Sequence, residues 1–205
     1  MKRLFISLIK PSTSVRVLFI SILKKGNAVR KMEKTEDALD CYNRVVNLGP
    51  KNTLSHSDVG KALAEIGKNK EAIDCFDKAT SLNPGESSFY NNKGYVLNKM
   101  GKNEEAIGCC DQAICLHPDN AFAYFNKGNA LQQMKKYQGA VECDYKTISL
   151  YPNYAEAFYE KGNVLKAIGK KAGAVDCYEK VLRLNPCHQD ALHNKNAILN
   201  EMVTN

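Results

Sequence analysis

The chain of 205 residues is 44% hydrophobic and 25% charged, with 13 Gly and 6 Pro, a composition that excludes a disordered or collagen-like polymer and supplies apolar material for buried cores. Its net charge of +7 reflects 29 Lys and Arg against 22 Asp and Glu, but residues 1–31 hold eight of the basic residues (Lys2, Arg3, Lys10, Arg16, Lys24, Lys25, Arg30, Lys31) and no acid. Residues 32–205 are left with 21 basic against 22 acidic groups, so a nucleic-acid surface along the body of the chain is excluded.

Residues 1–18 read as a separate, acid-free element. Their apolar run from Leu4 to Ile9 stops at Lys10-Pro11, far short of the roughly 20 residues of a membrane span. With Ser7, Ser12, Thr13 and Ser14, the segment resembles an organelle-targeting sequence or a lipid-surface helix. The other readings are a cap over the apolar end of the residues C-terminal to it, of the kind that stacked repeats need, and a disordered tail without a role.

From residue 19 the chain repeats every 34 residues. Cys41, Cys75, Cys109, Cys143 and Cys177 recur at that spacing, as do Pro50, Pro84, Pro118, Pro152 and Pro186. Gly26, Gly60, Gly94, Gly128 and Gly162 form a third column, and Ala38, Ala72, Ala106, Ala140 and Ala174 a fourth. The units are 19–52, 53–86, 87–120, 121–154 and 155–188, with 189–205 reading as the first half of another and no linker between them, so one domain is expected.

Each unit carries two helical patterns. Tyr124, Gly128 and Leu131 fall at i, i+4, i+7, and Ala174, Tyr178, Val181 and Leu182 at i, i+4, i+7, i+8, the spacing of an apolar helix face. Gly67, Gly101 and Gly169 stand where a first helix should end in a left-handed residue, and Pro follows the second helix because it cannot extend one. A Gly inside a helix costs about 0.5–1 kcal/mol, so the Gly26 column implies a close helix–helix approach, expected here against the Ala of the second helix.

These residues resemble the tetratricopeptide repeat family, whose period of 34, first-helix Gly, Ala-x3-aromatic and closing Pro are matched by Phe125-Asn126-Lys127-Gly128-Asn129-Ala130-Leu131 and Ala174-Val175-Asp176-Cys177-Tyr178. The resemblance covers residues 19–205. It implies an all-α fold, a right-handed α-solenoid of five helix-turn-helix units with a C-terminal capping helix. Trp is absent, the bulky first-helix position being Ile22, His56, Tyr90, Tyr124 and Phe158, and Lys25, Lys93, Lys127 and Lys161 replace the Leu before Gly. Their alkyl stems can lie along apolar surface while the charge stays in water.

The fourth unit departs most. Asp144 stands where the others have Tyr42, Phe76, Cys110 and Tyr178; Tyr145 comes one place late, and Lys135 replaces the turn Gly. Either Asp144 is buried at a cost, or the helix rotates to bury Tyr145; both make residues 137–150 a weak point.

The columns also dispose of the apparent chemistry. Equivalent helices of stacked units lie about 8–10 Å or more apart, beyond the roughly 7 Å Cα limit of a disulfide, so the periodic cysteines read as packing residues of a reducing compartment. Cys109-Cys110, Cys115-x-His117 and Cys187-His188 lack Zn-binding spacing. No phosphate-binding glycine loop and no catalytic triad can be placed, so neither enzyme activity, nor a metal, nor a cofactor is expected.

The resemblance implies a concave surface of first helices that takes an extended peptide or a partner helix. Its columns here are Asn27, Lys61, Tyr95, Asn129, Asn163 and Lys24, Asp58, Asn92, Asn126, Glu160, Asn194. An Asn amide can donate to and accept from a backbone at once. The expected binding residues are therefore Lys61, Asn92, Asn126, Asn129 and Asn163, with Tyr95, Phe125 and Tyr159 adding apolar grip. The other reading of these Asn is a polar exposed face. The Lys, Asn and Arg set with which some chaperone-binding members hold a C-terminal carboxylate is not reproduced, because the third-unit positions are Phe122 and Asn126 or Glu156 and Glu160. The expected function is a non-enzymatic scaffold or adaptor in the cytoplasm, binding protein and neither nucleic acid nor a small-molecule substrate. The alternatives are an organelle-imported or membrane-surface adaptor using the N-terminal segment, and a regulatory subunit of a glycosyltransferase-type complex.

Overall fold

The computed structural model describes residues 13–203, and of residues 13–16 the backbone alone. Among the described residues there are helices and no strands. In chain order they are α1 Thr13–Lys31, α2 Thr35–Leu48, α3 Thr53–Glu65, α4 Asn69–Leu82, α5 Ser87–Lys99, α6 Asn103–Leu116, α7 Ala121–Gln133, α8 Tyr137–Leu150, α9 Ala155–Ala167, α10 Lys171–Leu184 and α11 Gln189–Val203. The reading of residues 1–12 as cap or targeting segment lies outside the described residues, and the boundary drawn between 18 and 19 falls inside α1. Five helix pairs and a closing helix make this an all-α solenoid of helix-turn-helix repeats.

The pairs form two compact units, divided between Pro84 and Gly85. In the first, α1 packs on α2 and α3, and α3 on α4. Phe19, Tyr42, Val45, Val59 and Phe76 are buried there, and His56, at the bulky first-helix position, is buried with Nε2 3.0 Å from the Pro50 carbonyl. In the second, α5 packs on α6 and α7, α7 on α8 and α9, α9 on α10, and α10 on α11. Its C-terminal core gathers Val164, Leu165, Tyr178, Val181 and Ile198.

One turn geometry joins the two helices of every pair. Glu33, Gly67, Gly101, Lys135 and Gly169, one period apart, all have φ between 59° and 78°. The next residue closes a 6→1 bond to the helix before it, as in Lys68 N–H to the Leu63 carbonyl at 2.9 Å and Lys136 N–H to Leu131 at 2.8 Å. This is a Schellman ending, which needs a left-handed residue. Gly takes that conformation freely, whereas Glu33 and Lys135 carry a Cβ there, at a cost of about 1 kcal/mol each.

The helical glycines are close-approach positions, but their nearest neighbour differs from the one expected. A Cβ on Gly162 would lie 2.7 Å from Tyr178 Cε1, and on Gly94 2.9 Å from Cys110 Sγ. It is the bulky second-helix side chain that fills the missing space, and the Ala column contributes backbone, such as the Ala106 carbonyl 3.3 Å from the same point on Gly94. Two of the Lys that precede these Gly reach back to the preceding pair. Lys127 Nζ lies 2.6 Å from Asp111 and Lys161 Nζ 3.5 Å from the Tyr145 ring centroid.

All eight cysteines are free thiols, with Cys41, Cys110, Cys143 and Cys177 buried. Burial pushes the thiols of Cys75, Cys110 and Cys143 up to about 11, 12 and 11, which suppresses the reactive thiolate. Among the described residues no three His, Cys, Asp or Glu side chains could together hold a metal ion, and no helix is long and apolar enough to cross a membrane.

Candidate functional site

Helices α5, α7 and α9 are the first helices of successive pairs in the second unit, and a groove of about 510 Å³ opens across them. Ridges of three roughly parallel helices leave a concavity wherever their facing residues are short or turned aside. Tyr95, Asn98 and Lys99 of α5 form one wall. Asn126, Asn129, Gln132 and Gln133 of α7 make the floor, with Glu160 and Ala167 of α9 opposite, and Lys135 and Tyr137 close the end.

Of the residues expected from sequence, Tyr95, Asn126 and Asn129 line this groove. Tyr95 is half exposed. Asn126, however, is a strut: its Nδ2 donates to Asn91 Oδ1 at 2.9 Å, and its backbone carbonyl accepts from Asn98 Nδ2 at 2.6 Å. Its amide is spent tying α7 to α5. Asn163 is held too, since Tyr178 O–H donates to its Oδ1 at 2.9 Å and its Nδ2 donates to Glu160 at 3.2 Å. Neither Asn163 nor Asn92 is part of the groove lining. Lys61 belongs to the first unit, on α3, where it pairs with Asp58 at 2.7 Å.

Of the other expected aromatic residues, Phe125 joins a ring cluster near the N-terminal ends of α7 and α9 that sequence reasoning had not singled out. Phe125 meets Tyr154 edge-on at 5.0 Å, Phe122 does so at 5.5 Å, and Tyr151 stacks on Tyr154 with the planes 13° apart. Burial raises the Tyr154 phenol to about 12, with help from Glu156, so it stays a neutral donor. Tyr159 lies 4.7 Å from the His188 ring. The second unit thus presents an amide and lysine region and an aromatic one.

Two groove atoms stand out. The side-chain carbonyl oxygens of Asn98 and Asn129 are buried and accept no hydrogen bond, a state that costs about 1–3 kcal/mol per group. For Asn129 the cause is one residue. In α1/α2 and α9/α10 the equivalent Asn accepts from a Tyr hydroxyl, Tyr42 to Asn27 and Tyr178 to Asn163, both at 2.9 Å. In α7/α8 that Tyr is Asp144, 1% exposed, with both carboxyl oxygens unpartnered and Oδ1 3.2 Å from the Cβ position of Gly128. Burial, reinforced by Glu160 and opposed by Lys161, pushes its carboxyl up to about 8. Of the two outcomes expected for this unit, Asp144 is the buried residue and Tyr145 stays exposed.

Sequence reasoning missed Asn98, Lys99, Gln132, Gln133 and Lys135. A signal was available, because Asn98, Gln132 and Lys166 are one period apart, a turn beyond the Asn column.

Three sequence models, each describing the tetratricopeptide repeat, match the chain: one at residues 23–87, one at 109–142 and one at 87–120 and 155–186. Among solved structures, the chain is similar to MamA at 25% identity and a TM-score of 0.67, covering 78% of this chain and 94% of that one. It resembles YrrB, described as a tetratricopeptide repeat protein with an unusual peptide-binding site, at 23% identity and 0.64 over 86% and 91%. Pseudomonas aeruginosa pilF matches at 19% identity and 0.76 over 92% and 86%. The last two likenesses concern the fold alone. No curated protein sequence gives a significant match. Period, turn geometry, helix pairing and matched models agree, and the chain belongs to the tetratricopeptide repeat family.

Proposed function

We propose that this chain is a non-enzymatic adaptor that holds an extended protein segment in the groove over α5, α7 and α9. The observation that carries the reading is the groove itself, lined by the amides of Asn129, Gln132 and Gln133 with Tyr95 half exposed on its wall. Such amides can both donate to and accept from the backbone of a bound strand, which makes the stabilisation independent of the segment's side chains. Lys99 and Lys135 would favour an acidic residue beside them, and the ring cluster of Phe122, Phe125, Tyr151 and Tyr154 would take an apolar one. The peptide binding named for YrrB is in keeping with this.

Selecting a random-peptide display library against the immobilised full chain tests the reading. Enriched peptides should bind N129A/Q132A at least tenfold more weakly, with the circular dichroism unchanged. No enrichment, or equal binding to the variant, would refute it. The third substitution of interest, Asn163→Ala, should affect stability more than binding, because its amide is already engaged.

A further inference from the structure

Helix α1 is the outermost helix of the first unit, and its two sides differ. Phe19 and Ile22 point inward and are buried, while Val17, Leu18 and Ile20 are 61%, 46% and 47% exposed. Farther along, Lys24, Lys25 and Lys31 are exposed. Val17, Lys24 and Lys31 are spaced at i, i+7, i+14 and so share one outward line. Among the described residues no ion pair reaches these three lysines, whereas Arg30 is engaged with Glu65 at 2.7 Å. No acid occurs in α1 or in the twelve residues before it, where Lys2, Arg3 and Lys10 accompany Leu4, Phe5, Ile6, Leu8 and Ile9.

We propose that the outward face of α1 docks this chain on an anionic lipid surface, with Val17, Leu18 and Ile20 entering the interface and Lys24, Lys25 and Lys31 meeting the headgroups. Charge decides the occupant. A second copy presenting the same acid-free face would be repelled, while a negatively charged leaflet attracts each cation near it. A fluid interface accepts three separate apolar side chains without a shaped pocket. With no helix among the described residues able to span, the contact is peripheral. It is independent of the groove and of what the groove binds.

Flotation of the full chain with phosphatidylcholine vesicles, with and without phosphatidylserine, tests the proposal. The chain should float with the anionic vesicles only, and release at about 0.5 M salt. At about fivefold per cation, K24E/K25E/K31E should weaken binding about a hundredfold or more, and V17S/L18S/I20S should weaken it too, both with unchanged helicity. Absence of flotation, equal flotation with neutral vesicles, or full binding by either variant would overturn it. So would flotation that survives in both variants and disappears only on deleting residues 2–12. A wild-type dimer in sedimentation that V17S/L18S/I20S dissociates would assign the face to a second copy. Binding to soluble polyglutamate as tight as to anionic vesicles and unaffected by V17S/L18S/I20S would assign it to an acidic protein.

Discussion

The helix pairs α7/α8 and α9/α10 share a backbone plan and differ at one buried side chain. In α9/α10 the Tyr178 ring lies against Gly162, and its hydroxyl reaches Asn163. In α7/α8 the same place holds Asp144, which fills less volume, makes no hydrogen bond and leaves the Asn129 carbonyl unpartnered. A repeat array adds up the stabilities of its pairs and their nearest-neighbour interfaces. It can therefore carry a weak pair between strong ones, and here the weak pair supplies the floor of the groove. The same substitution that lowers stability leaves the Asn129 carbonyl without the hydroxyl donor its counterparts have.

Exchanging the two side chains is the strongest way to break the comparison. Tyr178→Asp should cost about 3–5 kcal/mol, from lost ring packing and a buried carboxyl, and should accelerate amide exchange in residues 171–184. Asp144→Tyr should stabilise by about 2 kcal/mol and slow exchange in residues 137–150 to the level of 171–184.

Titration separates the pairs next. The Asp144 carboxyl rises from an ordinary 3.8 to about 8 on folding. Between those values the folded chain keeps a proton that the unfolded chain has released, so stability falls as pH rises. The contribution is complete below about pH 4 and gone above about pH 8. Melting temperatures of wild type and Asp144→Asn should diverge across that interval, in favour of the variant, by the equivalent of about 6 kcal/mol at most. Parallel profiles would mean that Asp144 is solvated.

Smaller effects refine the contrast. Gly162→Ala places a Cβ 2.7 Å from a ring atom, whereas Gly128→Ala places one 3.2 Å from Asp144 Oδ1 and 3.2 Å from Cys143 Cβ. The first should cost about 2 kcal/mol more than the second in denaturant melts. Lys135→Gly, which removes the Cβ from a residue at φ 59°, should stabilise by about 1 kcal/mol or slightly less.

The helix pairs and turns were legible because each repeat reports its own phase. The Gly, Ala and Pro columns placed the units, and the helix starts at Thr53, Ser87, Ala121 and Ala155 coincide with the unit boundaries. Lys135 was readable as a misplaced residue, since a left-handed turn was required there whatever occupied it. The candidate site was only half legible. A column of Asn shows which amides share a face, but Asn126, Asn129 and Asn163 meet three different fates according to which partner, if any, stands across the helix interface.

Composition and period by themselves therefore determined the family, the unit starts from Thr53 to Ala155 and the confinement of excess positive charge to the first 31 residues, because these depend on local pattern and on counting. Only the tertiary structure decided which groove amides are already bonded and which carbonyls are left over. It alone settled that Asp144, and not Tyr145, is the buried residue, and that α1 turns Val17 and Lys24 outward. Each of these depends on what a side chain meets across an interface, and distances across an interface are not written in a one-dimensional period.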